Sequence, residues 1–172
     1  ARQFTTAEGF VFDMGPSWYW MPDIIDGFFQ DFGFTSADFL DLIALNPQFE
    51  IVFEKNSLAV PKSYSAFRGL FESLESGAGK KLDQFMERAK EKYTIGMQEF
   101  VQKPCHSWME FLSPRIIKSS LRLDLFSNFR TYVNRYFKHP QLRSLMEFPV
   151  IFLGASPQKI PALYSMMNYG GY

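Results

Sequence analysis

The hydrophobic period of this chain changes near residue 64, and that change constrains the fold more than any other feature. Upstream, apolar residues alternate in two short stretches. Downstream, they recur every three or four positions. Alternation is the signature of a strand and the three-to-four spacing that of a helix. The chain must therefore combine short strands with a larger helical body.

The first alternating stretch is "RQFTTAEGFVFDMG", residues 2–15. It reads as a β-hairpin: Phe4 sits among polar neighbours, Ala7-Glu8-Gly9 makes the turn, and Phe10, Val11 and Phe12 return. Pro22 can open a helix carrying Ile24, Ile25, Phe28 and Phe29, which Gly33 ends. Thr35 or Ser36 caps a predicted second helix with Phe39, Leu40, Leu42 and Ile43 on its apolar side, stopped by Asn46-Pro47. "FEIVFEKNSLAVP" reads as a second hairpin, turning at Lys55-Asn56-Ser57.

Beyond it, Phe67, Leu70, Phe71 and Leu74 predict a helix from Ser65, and 76–79 is a break. The stripe Leu82, Phe85, Met86, Ala89, Tyr93, Met97 and Phe100 predicts a long helix from about Lys80 to Gln102. Pro114 can open another, with Ile116, Ile117, Leu121 and Leu123. Phe126, Phe129, Val133, Tyr136 and Phe137 share one side of the segment 125–137. A last short helix begins in "QLRSLMEFPVIFLG", and the closing "MNYGGY" reads as loop. The fold class is α+β and mostly helical.

Function is harder to read from the bulk properties. There are 18 basic and 18 acidic residues, distributed unevenly. Residues 1–60 hold nine acids against Arg2 and Lys55. Residues 103–143 hold Lys103, Arg115, Lys118, Arg122, Arg130, Arg135, Lys138 and Arg143 against Glu110 and Asp124. A basic surface fits an anionic membrane or simple solvation. No groove-fitting motif supports nucleic acid as its partner. The single cysteine, Cys105, rules out an internal disulfide and points to a reducing compartment. Cys105 and His106 are adjacent and so point in different directions, which reads as structural. No ligand-spaced cluster supports a metal, and no apolar run is long enough to span a membrane. Gly77-Ala78-Gly79 lacks the preceding strand and the spacing of a dinucleotide loop. Phenylalanine is in excess, at 20 residues. That many rings serve a dense core or an apolar pocket.

One stretch is more specific. "GFVFDMGPSWYWMPDII", Gly9 to Ile25, resembles the segment that follows the glycine-rich flavin motif in the bacterial phytoene desaturase (carotenoid desaturase) family, FAD-dependent flavoproteins of amine-oxidase-like type. That family reads "GGRA" and then "F.FD.GP(S/T)", with Ala1 here at the Ala of GGRA. At the other end, "FLGASPQKIPALYSMMNYGGY" resembles the aromatic-Leu-Gly run, Ser-Pro turn and Ala-Leu-Tyr helix that precede the family's return to its flavin domain. Both ends of the chain read as cuts in a longer protein.

The resemblance implies an internal piece of an FAD-dependent desaturase, comprising a substrate-binding domain and a helical insert without the flavin-binding Rossmann-like part. Residues 1–64 would be hairpins and helices of the substrate domain. Residues 65–148 would be a helical, membrane-contacting part, and 149–172 the return segment. Gly15, Pro16 and Ser17 would lie beside the flavin, where Gly permits close backbone approach. Asp13 would either cap that turn or touch the flavin's surroundings. Trp18, Tyr19, Trp20 and Met21 would line the substrate tunnel, with packing in a core as the alternative. Catalytic residues stay unassigned and no metal is implied. FAD belongs to the whole protein and none is expected on this piece, which would be inactive alone. The implied partners are an apolar polyene (phytoene or a related carotenoid) and a membrane surface met from the cytoplasm. Lys118, Arg122, Arg130 and Arg135 among Phe126, Phe129 and Phe137 would form an interfacial helix. An apolar face left uncovered could pair two copies into a dimer. The other functional class open to this sequence is a helical lipid- or partner-binding module with no catalysis.

Overall fold

The computed structural model describes residues 2–14, 19, 21–97 and 124–172. The chain packs as two compact units, Ala1–Leu42 and Ile43–Tyr172.

In the first unit, β1 (Arg2–Thr5) pairs antiparallel with β2 (Val11–Met14), in the register Phe4 opposite Phe12. Those two rings stack at 5.2 Å. Gly9, at a φ of 92°, takes the left-handed turn position that a side chain would resist. Helix α1 (Pro22–Asp31) begins on proline, whose missing N–H costs nothing in a first turn. The helix predicted after Thr35 is only a 3₁₀ turn, Ser36–Asp38. Thr35 and Asp38 close a capping box there, the Thr35 N–H donating to Asp38 at 2.7 Å. The apolar run behind it does not continue the helix. Phe39, Leu42, Ile43 and Leu45 are all exposed, so no packed face repays helix ordering.

The second unit has a core. β3 (Phe49–Val52) pairs antiparallel with β4 (Ser57–Val60), and Leu58 and Val60 face inward. Helix α2 (Tyr64–Leu74) is capped by Ser63, whose hydroxyl accepts from the Ala66 N–H. Its Phe67 and Phe71, one turn apart, are buried. Helix α3 (Ala78–Gly96) starts two residues earlier than its periodicity predicts and buries Leu82, Phe85, Met86 and Ala89. Helix α4 (Phe129–Tyr136) is capped by Asn128, and α5 (Pro140–Glu147) opens on proline. A 3₁₀ stretch, Phe148–Leu153, and a 3₁₀ turn, Ala162–Ser165, lead to α6 (Met166–Gly171).

Aromatic rings join these elements. Phe71 meets Phe67 and Phe137 edge-on at 4.9 and 5.1 Å, and Phe85 meets Tyr136 edge-on at 5.3 Å. The closing residues are not loop. Met166–Gly171 is helical because Asn168 is buried and donates to the Met146 carbonyl at 2.9 Å. Gly96 lets α3 and α6 approach: a Cβ there would sit 3.3 Å from the Met166 sulfur. Tyr172 stacks on Phe67 and donates its hydroxyl to the Leu145 carbonyl at 2.7 Å. The fold is thus α+β and mostly helical, with two small antiparallel hairpins.

Candidate functional site

Gly15, Pro16 and Ser17, expected beside a flavin, lie outside the described residues, as do Trp18 and Trp20 of the expected tunnel. Tyr19 and Met21 are described, and both are half-buried. The Tyr19 hydroxyl is enclosed and has no hydrogen-bond partner among the described residues. Met21 sits at the start of α1 with a φ of 54°, and its carbonyl accepts from the Ile24 N–H at 3.1 Å. The turn that Asp13 is expected to cap lies outside the described residues. Asp13 faces Gln3 across the hairpin and accepts from its amide at 2.7 Å.

The first unit carries an apolar surface. Phe10 and Phe28 are 65% and 60% exposed, and Phe4, Phe12, Phe32 and Phe39 are also exposed. The rings contact one another in short chains: Phe29 stacks on Phe39 at 5.2 Å, and Phe28 packs on Phe32 at 5.2 Å. Ser36 is the one buried residue among those described in this unit. Its described aromatics are therefore exposed where a core would be expected.

The second unit holds a polar centre that sequence reasoning missed. Lys92 is 2% exposed. Its ammonium donates to Asp124 Oδ2 at 2.9 Å, Ser165 Oγ at 3.1 Å and the Ala162 carbonyl at 3.3 Å. The three bonds saturate its three donors. The charge also lies 3.9 Å from the Tyr132 ring centre. Burial lowers the Lys92 pKa, and Asp124 opposes that fall. The spacing Leu82, Phe85, Ala89, Lys92, Gly96 carried the signal, because it places Lys92 on the buried stripe. Lys92 ties α3 to the 3₁₀ turn 162–165 and to Asp124, whose φ of 54° is left-handed. With every donor satisfied, it is a structural clamp and not a free nucleophile.

Between α3 and α4 lies an open cleft of about 630 Å³ lined by Lys81, Gln84, Arg88, Asp124, Tyr132, Arg135 and Tyr136. Arg130 grips Glu147 through two bonds of 3.0 and 2.8 Å. Phe129 and Phe137 belong to the core, and only Phe126 of the expected aromatic face is exposed, at 85%. The expected interfacial helix is thereby corrected at α4: its aromatic side is spent on packing. Lys118, Arg122, Cys105 and His106 lie outside the described residues.

The glycine break before α3 also has a defined use. The Gly77 and Gly79 N–H groups donate to the Glu72 carboxylate at 2.7 and 3.0 Å. A carboxylate of the chain itself thus occupies the amides that a phosphate would need. Among the described residues, no cluster of His, Cys, Asp or Glu could hold a metal, and no helix is long and apolar enough to cross a membrane.

No family model matches the chain. It is similar to curated proteins, however. Over 164 residues it is 34% identical to a carotenoid 3,4-desaturase of Haloarcula japonica, covering 94% of this chain and 33% of that protein. It is 26% identical to a 4,4'-diapophytoene desaturase of Staphylococcus haemolyticus, over 93% of this chain and 32% of the relative. To a zeta-carotene-forming phytoene desaturase of Myxococcus xanthus it is 24% identical, over 94% of this chain and 32% of the relative. The chain spans about a third of the length of these relatives. The 34% identity runs over 94% of the chain, and the chain belongs to the carotenoid desaturase family.

Proposed function

We propose that this chain is the substrate-domain and helical part of an FAD-dependent carotenoid desaturase, an oxidoreductase that removes hydrogens from an apolar polyene in carotenoid biosynthesis. The observation that carries the reading is the 34% identity along 94% of the chain to a carotenoid 3,4-desaturase. The exposed aromatic surface of the first unit supports it. A polyene hydrocarbon has no polar handle, so it is held by ring area and shape.

FAD, when bound, supplies the electron acceptor for the dehydrogenation. The sequence has no GxGxxG loop, and Glu72 fills the amides at Gly77 and Gly79. These 172 residues therefore do not by themselves fit an FAD nucleotide, and no chemical step is assigned to them. Their part is to bind and exclude water. Gly15, Pro16 and Ser17 would border the flavin, and Trp18, Tyr19, Trp20 and Met21 would wall the tunnel. Membrane contact from the cytoplasmic side would supply the lipid-dissolved substrate.

The test is production of the whole protein in a host that accumulates colourless phytoene. Appearance of polyenes absorbing at longer wavelength, lost when the gene is absent, is the expected result. Unchanged polyenes across phytoene and its more desaturated derivatives would overturn the reading. The 172-residue chain purified alone should be colourless, and a bound flavin spectrum would contradict the placement of FAD outside it.

A further inference from the structure

The cleft between α3 and α4 is built from two facing helical stripes. α3 offers Lys81, Gln84 and Arg88, at spacings of three and four, and α4 offers Tyr132, Arg135 and Tyr136 at the same spacings. Three cations line it against one carboxylate, Asp124, and that carboxylate is already neutralised by Lys92 at 2.9 Å.

The three cations are not equally committed. Lys81 is held by Glu75 at 2.7 Å. Among the described residues Arg88 pairs only with Glu91 on its own helix, at 3.5 Å, with both side chains well exposed. Such a pair contributes little. Arg135 has no ion-pair partner among the described residues, and its guanidinium donates only to the Ser127 hydroxyl at 3.3 Å. One under-used guanidinium therefore stands on each wall. Each offers a planar fork of five donors that matches phosphoryl or carboxylate oxygens. The Gln84 amide and one phenol of the Tyr132–Tyr136 pair, whose hydroxyls hydrogen-bond each other at 3.4 Å, add neutral donors. Two forks on opposite walls with these additional donors exceed what the two oxygens of a carboxylate can accept. The oxygens of a tetrahedral phosphoryl group can accept from both walls at once.

We propose that this cleft binds a phosphoryl group, held between Arg88 on α3 and Arg135 on α4, in a lipid headgroup or as free phosphate. The site is independent of the desaturase reading, since it uses neither the aromatic surface nor any residue expected near the flavin.

The test uses the purified protein and two probes. Inorganic phosphate is titrated by calorimetry in phosphate-free buffer. Vesicles of phosphatidylcholine, with or without phosphatidylglycerol, are sedimented with the protein. Binding of phosphate identifies a free phosphoryl ligand; binding only to phosphatidylglycerol vesicles identifies a headgroup. In either case Arg88→Gln and Arg135→Gln should each weaken binding about tenfold, while Lys159→Gln, an exposed base outside the cleft, should change nothing. The proposal is overturned if neither probe binds, or if the double Arg88→Gln/Arg135→Gln variant binds as tightly as the parent. Should that variant fail to fold, the Arg88→Lys/Arg135→Lys pair decides. It keeps the charge and loses the fork, so weakened binding supports the site and unchanged binding refutes it.

Discussion

Replacing Glu75 by Gln tests how the helical unit holds its corners together. Glu75 ends α2, and its side chain reaches two other places. Oε1 accepts from the Lys81 ammonium at 2.7 Å. Oε2 accepts from the backbone N–H groups of Lys138 and His139 at 2.7 and 2.9 Å, where α4 gives way to α5. Burial alone would raise this carboxyl. The Lys81 ammonium and the two amides overcome that and hold it down at about 2, against an ordinary 4.5. Full conversion of that depression gives a ceiling of roughly 3.4 kcal/mol. The carboxylate lies near the surface, where solvent screens it, and the working value is about 2 kcal/mol. Glutamine keeps an oxygen for the two amides but turns an NH₂ toward the Lys81 ammonium. The expected loss at neutral pH is about 2 kcal/mol, or roughly 4–8 °C in Tm for a chain of this size. Because the native pKa is depressed, the stabilisation is complete above the unfolded value of 4.5 and disappears as the pH falls toward 2. Urea unfolding followed by circular dichroism, at pH 7 and in steps down to pH 3, measures both. A variant within about 0.5 kcal/mol of the parent at pH 7 would refute the reasoning. A gap that stays constant on acidification would refute it equally.

Further substitutions probe separate parts of the second unit. Phe71→Ala removes a fully buried ring lodged against Phe67 and Phe137, and should cost about 3–5 kcal/mol in the same urea assay. Lys92→Met should cost about 2 kcal/mol, below the range for a broken buried pair because Asp124 remains 30% exposed on its side chain. Adding Asp124→Asn to that variant should recover part of the loss in a double-mutant cycle, and a purely additive cycle would deny the clamp. Asn128→Ala removes the side-chain oxygen that accepts from the Thr131 N–H at 2.8 Å, and should lower stability by about 1 kcal/mol.

What the sequence made legible was local. Both hairpins declared themselves because alternation and turn residues occupy adjacent positions, and the strands Arg2–Thr5 with Val11–Met14 and Phe49–Val52 with Ser57–Val60 pair as expected. The long helix was legible for the same reason, from its stripe of Leu82, Phe85, Met86 and Ala89. The stripe also passed through Lys92, whose burial is intelligible only once Asp124 and Ser165 are brought to it from more than thirty and seventy residues away. Errors came where local pattern and tertiary support parted. Phe39 to Leu45 has helical spacing, but its apolar side chains stay largely exposed, so it forms no helix. "MNYGGY" has loop composition and becomes helical because Asn168 and Tyr172 find buried partners in α5. Arg130 looked like a free basic residue until Glu147, seventeen positions on, claimed it. The Gly-Pro-Ser corner is the extreme case. It reads as a turn from three residues of sequence, but its proposed place beside a flavin rests on the resemblance, because no periodicity or spacing in these residues points to that group.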